Sequence, residues 1–218
     1  MEGYAAPLEL KYVDVEDKTY EVEGHTYPLY LTDKFYPIGW SKDGKFAYIT
    51  EPADEAVGAY FFEFSIIDLN SSETVFSWKP EENPETGSLQ QTWDENHTMF
   101  EEVLRQHGIV QQEKFALEAL ELEGSDKDPE IWMDTTMAFN SFICSSCVQK
   151  VRVIKGFDQD SKLLFEKTYG EYDLVLDENL AGTLRSPYEN IQATMILYVS
   201  RGYEGPPHVY HFVLAGTR

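Results

Sequence analysis

Positive charge is scarce in this chain: 218 residues carry 39 Asp and Glu against 17 Lys and Arg, for a formal net charge of −22. That deficit excludes two broad partner classes. A surface this acidic repels phosphate backbones and anionic headgroups, so neither nucleic acid nor a membrane surface is an expected partner. Long apolar runs are missing too. None approaches the roughly 18 residues that a spanning helix needs, so membrane insertion is not expected. Cysteine is limited to Cys144 and Cys147, which confines any thiol chemistry to one pair. The catalytic fingerprints are equally sparse: there is no P-loop, no dinucleotide fingerprint and no HExxH. Gly39-Trp40-Ser41-Lys42-Asp43 falls one Gly short of a nucleophile elbow. Asp134-Thr135-Thr136 lacks the Gly of an aspartic protease loop. No catalytic residue and no cofactor is therefore assigned from motifs.

What is present is enough apolar material for a core. Hydrophobic residues make up 42% of the chain and aromatics 14%, so disorder is not expected despite the charge. Fourteen Tyr and thirteen Phe lean toward β-structure, where flat side chains pack on pleated faces. Leu8 to Val15 and Tyr27 to Leu31 alternate as strands do. Phe35–Trp40 and Phe46–Thr50 flank Lys42-Asp43-Gly44, where Gly supplies the positive φ of a tight hairpin turn. Tyr60, Phe62, Phe64 and Ile66 share one strand face, with Glu63 and Ser65 on the other. Asn70-Ser71-Ser72 turns the chain and Thr74–Trp78 returns, which predicts an antiparallel meander.

The period then changes. Leu89, Trp93, Phe100, Val103 and Leu104 fall on one helical face, and Gly108 after His107 reads as the stop. A second helix is expected over Gln111 to Leu122. Beyond the acidic loop Gly124–Glu130, strands are expected at Gln149–Ile154, Leu163–Tyr169 and Tyr172–Leu176, with Ile191–Tyr203 and Val209–Ala215 as the terminal pair. Strand blocks on both sides of a helical insert predict one α+β domain over residues 1–218. Its architecture is expected to be a mostly antiparallel sheet or sandwich, with the helical insert at 89–122 packed on it.

Gly39-Trp40-Ser41-Lys42-Asp43-Gly44-Lys45-Phe46-Ala47-Tyr48 resembles the hairpin of the WD40-like repeat in TolB-type β-propellers. Ile66 to Thr74 looks like the next turn of such a blade. The likeness covers about one blade where a propeller needs about four to eight, so no propeller is expected. Arg201-Gly202-Tyr203-Glu204-Gly205-Pro206-Pro207, taken with that hairpin, is similar to a bacterial family described as predicted secreted proteins. That resemblance implies an extracytoplasmic location, no known activity and no catalytic residue. The first residues, MEGYAAPLEL, lack the basic start and apolar stretch of a signal peptide. A cytosolic protein and a mature exported one both fit; the resemblance favours the periplasm or the exterior.

Four groupings invite chemistry. Cys144-Ser145-Ser146-Cys147 reads as a disulfide in an oxidising compartment, a redox pair, half a zinc site, or two free thiols. His208 and His211 are the nearest complement for zinc, but three residues apart on a regular strand they face opposite sides. Asp126, Asp128 and Glu130 are weak metal candidates because hard cations prefer clustered carboxylates, but their spacing fits no EF-hand and a solvated acidic loop is the favoured explanation. Trp40, Trp78, Trp93 and Trp132 suit either a binding platform or core packing. The expected function is a non-enzymatic acidic binding module of an exported bacterial protein, whose charge favours cationic partners, whether a protein or a small ligand. The alternatives are a hydrolase with a carboxylate site not visible as a motif, and a divalent-cation-binding protein.

Overall fold

A computed structural model describes residues 3–53, 62–80, 87–120, 131–138, 144, 146–156, 161–170, 172–188, 191–202 and 205–217. In chain order the elements are β1 (Thr19–Val22), β2 (His25–Pro28), β3 (Tyr30–Thr32), β4 (Lys34–Trp40), β5 (Lys45–Glu51), β6 (Glu63–Asp68) and β7 (Glu73–Trp78). Helix α1 (Leu89–Gln106) follows, then β8 (Val110–Gln111), β9 (Ile131–Ala138), β10 (Cys147–Lys155), β11 (Lys162–Thr168), β12 (Val175–Arg185), β13 (Gln192–Ser200) and β14 (His208–Thr217). The fold is mostly β-sheet with one helix among the described residues, and it is built from several sheets whose pairings are antiparallel except between β14 and β3.

The aromatic meander forms as its alternation dictates. β4 to β7 pair in sequence order, and β8 joins the far side of β4. Gly44 takes φ +99° in the β4–β5 turn, where a side chain would be strained. Ser41, the near-elbow serine, is buried in that turn; its hydroxyl donates to Asp43 Oδ1 (2.5 Å) and accepts from the Lys45 N–H (2.7 Å). Helix α1 covers one face of this sheet with Trp93, Phe100 and Leu104, which pack on Ile38, Phe62, Phe64 and Ile66. Ser88 caps its start by accepting the Gln91 N–H. At its end Gly108 stands at φ +67°, with Ile109 N–H bonded to Leu104 O and Gly108 N–H to Arg105 O. That double bond pattern is a Schellman stop.

The other face of the meander sheet packs on the four-stranded sheet β12-β13-β14-β3. Phe35, Phe46 and Leu69 meet Met195, Leu197, Phe212 and Leu214 in a shared core. The approach is close. A Cβ on Gly216 of β14 would lie 1.7 Å from the Leu69 carbonyl oxygen, so only glycine fits there. The opposite face of the four-stranded sheet is covered by β11-β10-β9, with Ile196 and Ala215 against Val153, Leu164 and Ile131. The layers therefore run helix, five strands, four strands, three strands. No described helix is long and apolar enough to cross a membrane.

Four sequence expectations are corrected or extended. The helix expected over 111–122 does not form in its described part. Residues 110–111 are strand, and Glu118 exchanges two backbone hydrogen bonds with Thr183 at the edge of β12. Phe115 and Leu117, two apart, both reach the core between the meander and four-stranded sheets, so the operative period was that of an extended chain. Leu8 to Val15 is not a strand; Leu10, Tyr12, Val13 and Val15 pack on the same core as an irregular segment. β9 is a strand beyond those expected from sequence, and β12 extends nine residues past Leu176, the expected end of its strand. Tyr60, expected on the strand face with Phe62, lies outside the described residues.

Candidate functional site

The register of the four-stranded sheet brings polar side chains into one row. Glu178 of β12 stands opposite Tyr198 of β13, and Tyr198 opposite His211 of β14. β3 runs parallel to β14 with Thr32 opposite Tyr210, and Asp33 follows it, its N–H donating to the Tyr210 carbonyl at 3.0 Å. A carboxyl, a phenol, an imidazole and a carboxylate thus cross four neighbouring strands. Ser200 lies two residues beyond Tyr198 on the same face, as the period of two requires.

Three of these groups form a relay. Asp33 is 7% exposed, and both its carboxylate oxygens are engaged. Oδ1 accepts the Ala53 N–H at 2.9 Å and Oδ2 lies 2.8 Å from His211 Nδ1. A buried carboxylate is costly without such partners, so this one is built in. An ionised carboxylate only accepts, which assigns the proton to Nδ1 and leaves Nε2 its lone pair in the neutral ring. Nε2 is 2.8 Å from Ser200 Oγ, so the hydroxyl donates to it. The imidazole plane is further fixed by Tyr198, whose ring lies 4.9 Å away at 31°. Tyr12 donates to the Asp33 carbonyl at 2.7 Å and ties the irregular amino-terminal segment to the same place.

The surroundings set the protonation states. Burial pushes the Tyr198 phenol up to about 12, with the negative Asp33 adding to it, so it stays neutral. Burial likewise raises Glu178 to about 7, against the opposing pull of the Tyr169 hydroxyl, which donates to its Oε1 at 2.5 Å. Glu178 Oε2 is buried without a protein partner. The His211 ring remains 27% exposed, so solvent or a small molecule reaches the relay.

Backbone donors near Ser200 are already in use. Arg201 N–H donates to Leu174 O at 3.0 Å, and Gly202 N–H to His208 Nδ1 at 3.3 Å. The chemistry the arrangement supports is therefore general-base activation of a hydroxyl, with little preformed stabilisation of an oxyanion.

The residues singled out from sequence fare differently. Asp126, Asp128 and Glu130 lie outside the described residues, and among the described residues no group of three or more His, Cys, Asp and Glu is placed to hold a metal. Cys144 and Cys147 are joined in a disulfide, so neither sulfur is a thiolate ligand. His208 lies beside Tyr30 while His211 serves the relay. Trp40 and Trp93 are buried in two different cores, Trp78 packs on Phe62 and Phe100, and Trp132 donates to the Gly156 carbonyl; they form no common platform. An open groove of about 980 Å³ runs between residues 3–10 and the chain from Ile109 to Phe115, with Leu8 and Val110 exposed along it.

Asp33 and Ser200 escaped the reading, and His211 entered it only as a metal ligand. A signal for two of the three was present: with Ile191–Tyr203 and Val209–Ala215 taken as a hairpin, counting outward from the turn sets His211 near Tyr198 and Ser200. No known protein family, curated protein or solved structure matches this chain, so the geometry alone carries the functional reading.

Proposed function

We propose that this protein is a hydrolase that works by acyl transfer to Ser200. The observation that carries the reading is the pair of 2.8 Å contacts that link Ser200 Oγ, His211 and the buried Asp33 in the order a nucleophile, a general base and its orienting carboxylate require. Ser200 Oγ attacks the carbonyl carbon of an ester while its proton passes to His211 Nε2. The ester C–O bond breaks, the leaving alkoxide takes the proton from His211, and an acyl-serine remains. Water, deprotonated by His211, then releases the acid and returns the proton to Ser200. Asp33 holds the ring in the tautomer that accepts from serine and stabilises the imidazolium formed.

With the nearby backbone donors engaged elsewhere, general-base catalysis supplies most of the acceleration, of order 10²–10⁴-fold. Slow hydrolysis of activated esters is the expected activity, measured with p-nitrophenyl esters in purified wild type, S200A and D33N. Turnover lost in S200A and lowered on the order of 10²-fold or more in D33N supports the reading. Turnover unchanged in S200A refutes it.

A second reading, the exported acidic binding module, has its own support in the groove beside Leu8 and Val110. An exposed apolar lining on a protein of net charge −22 suits an apolar segment carried by a basic partner. Binding of a Lys-rich apolar peptide that weakens with salt and is lost in V110D would support it. The stacked sheets, read as a sandwich, supply the rigid support in both cases.

A further inference from the structure

Lys167 is set apart from the ion-paired cations of the described residues by the two tyrosine rings its ammonium meets. Lys34, Lys45, Lys79, Lys150, Arg152 and Arg185 each meet a carboxylate. Lys167 is half-buried, rises from β11 over the four-stranded sheet, and has no carboxylate within ion-pair distance among the described residues. Its ammonium instead lies 4.6 Å from the ring centre of Tyr198 and 4.7 Å from that of Tyr169. Tyr198 is the ring that stacks on His211, so one aromatic side chain separates the ammonium from the relay.

The acidic groups that face this ammonium make no ion pair with it among the described residues. Asp173 and Glu178 are its electrostatic neighbours. Asp173 Oδ2 is taken by the Gly170 N–H at 2.7 Å, and the Glu178 Oε1 by Tyr169. Burial favours the neutral form of Glu178 up to about pH 7 and lowers the pKa of Lys167 itself. Two tyrosine faces attract a cation, but by less than a desolvated ammonium loses. An anion arriving from solvent would complete the set.

We infer that Lys167 is the anion-recognition residue of the Ser200 site, and that the substrate is an ester whose acyl chain carries a carboxylate several bonds from the scissile carbonyl. This rests on the acyl-transfer reading for its chemistry, but not for its binding. Long-range repulsion by a net charge of −22 opposes such a substrate, which makes the local ammonium decisive for affinity.

The test compares two esters of equal chain length, p-nitrophenyl hexanoate and the mono-p-nitrophenyl ester of adipate. Wild type is expected to prefer the anionic ester at least tenfold in kcat/KM, mainly through KM. K167M is expected to bring that preference to within threefold of unity, and K167R to restore part of it. A preference absent from wild type, or retained in K167M, overturns the inference. Binding is read separately in S200A by titration with monomethyl adipate followed by NMR. Saturable binding that K167M removes, in a variant with an unchanged fold by the same spectra, supports the anion site even where neither ester is turned over; that pattern would sink only the nucleophile. No binding in S200A together with turnover of both esters at equal rates would sink only Lys167.

Discussion

Two stretches of the same strand pair make opposite use of one face. Toward one end of β13 and β14, Ile196 and Ala215 are fully buried beneath the three-stranded sheet in an apolar cluster with Val153, Leu164 and Ile131. A few residues along, still facing the same way, Tyr198, Ser200 and His211 carry polar groups at partial exposure. Backbone ladder, strand direction and pleat are continuous between them. The difference lies in the partners: the first stretch packs on apolar side chains of β9 to β11, while the second, where Tyr198 still packs against the Val148 and Val151 cluster of β10, is linked to Asp33 from a segment 178 residues away. A sheet face thus becomes a site where a buried acceptor reaches it. Polar groups at such a rung are kept at a cost that hydrogen bonds only partly offset, and they contribute little to stability compared with the apolar rung.

Substitutions on the two stretches sharpen this contrast. The largest effect is expected from S200A at the polar end: esterase turnover falls to the background rate while the unfolding free energy changes by less than about 1 kcal/mol. Parallel kinetics and urea unfolding check it, and a large loss of stability would place Ser200 in the core instead. I196A at the apolar end should do the reverse. Deleting that fully buried side chain is expected to cost about 2–5 kcal/mol, read as a lower urea midpoint, with the Ser200 relay intact in protein that remains folded.

A smaller effect is expected from pH at the far end of the polar row. Glu178 titrates at about 7 when folded against an ordinary value of 4.5, so the folded state binds a proton that the unfolded state releases between those limits. The stability this contributes is fully present below the unfolded value and is lost as pH rises through about 7. E178Q removes the titration. Melting curves of wild type and E178Q from pH 4 to pH 8 should diverge as pH rises, the variant losing about 2–3 kcal/mol less stability across that range. Identical slopes for the two proteins would show that folding does not shift the titration of Glu178.

Local features of this fold were legible in sequence, and long-range ones were not. The β4–β7 meander and helix α1 follow from patterns that close within one turn: Gly44 at the hairpin, Ser88 and Gly108 at the helix ends. Residues 111–120 were misread because Phe115, Leu117 and Leu120 suit either period when counted sparsely, and the edge of β12 decided the matter through Glu118 and Thr183. β9 escaped because Asp134, Thr135 and Thr136 interrupt its apolar alternation; its pairing with β10 supplies the register the sequence pattern lacks. The site was least legible of all. Ser200 and His211 share a hairpin, yet Asp33 joins them only through the parallel pairing of β3 with β14, a contact with no local signature.

The central claim is that Ser200 is an activated nucleophile, and covalent labelling tests it most directly. Wild type, S200A and H211Q would be incubated with a fluorophosphonate at neutral pH, followed by intact mass and peptide mapping. One adduct on Ser200 in wild type, absent in S200A and strongly slowed in H211Q, is the predicted result. A wild-type protein that stays unlabelled, or that carries the adduct on another residue, would contradict the account.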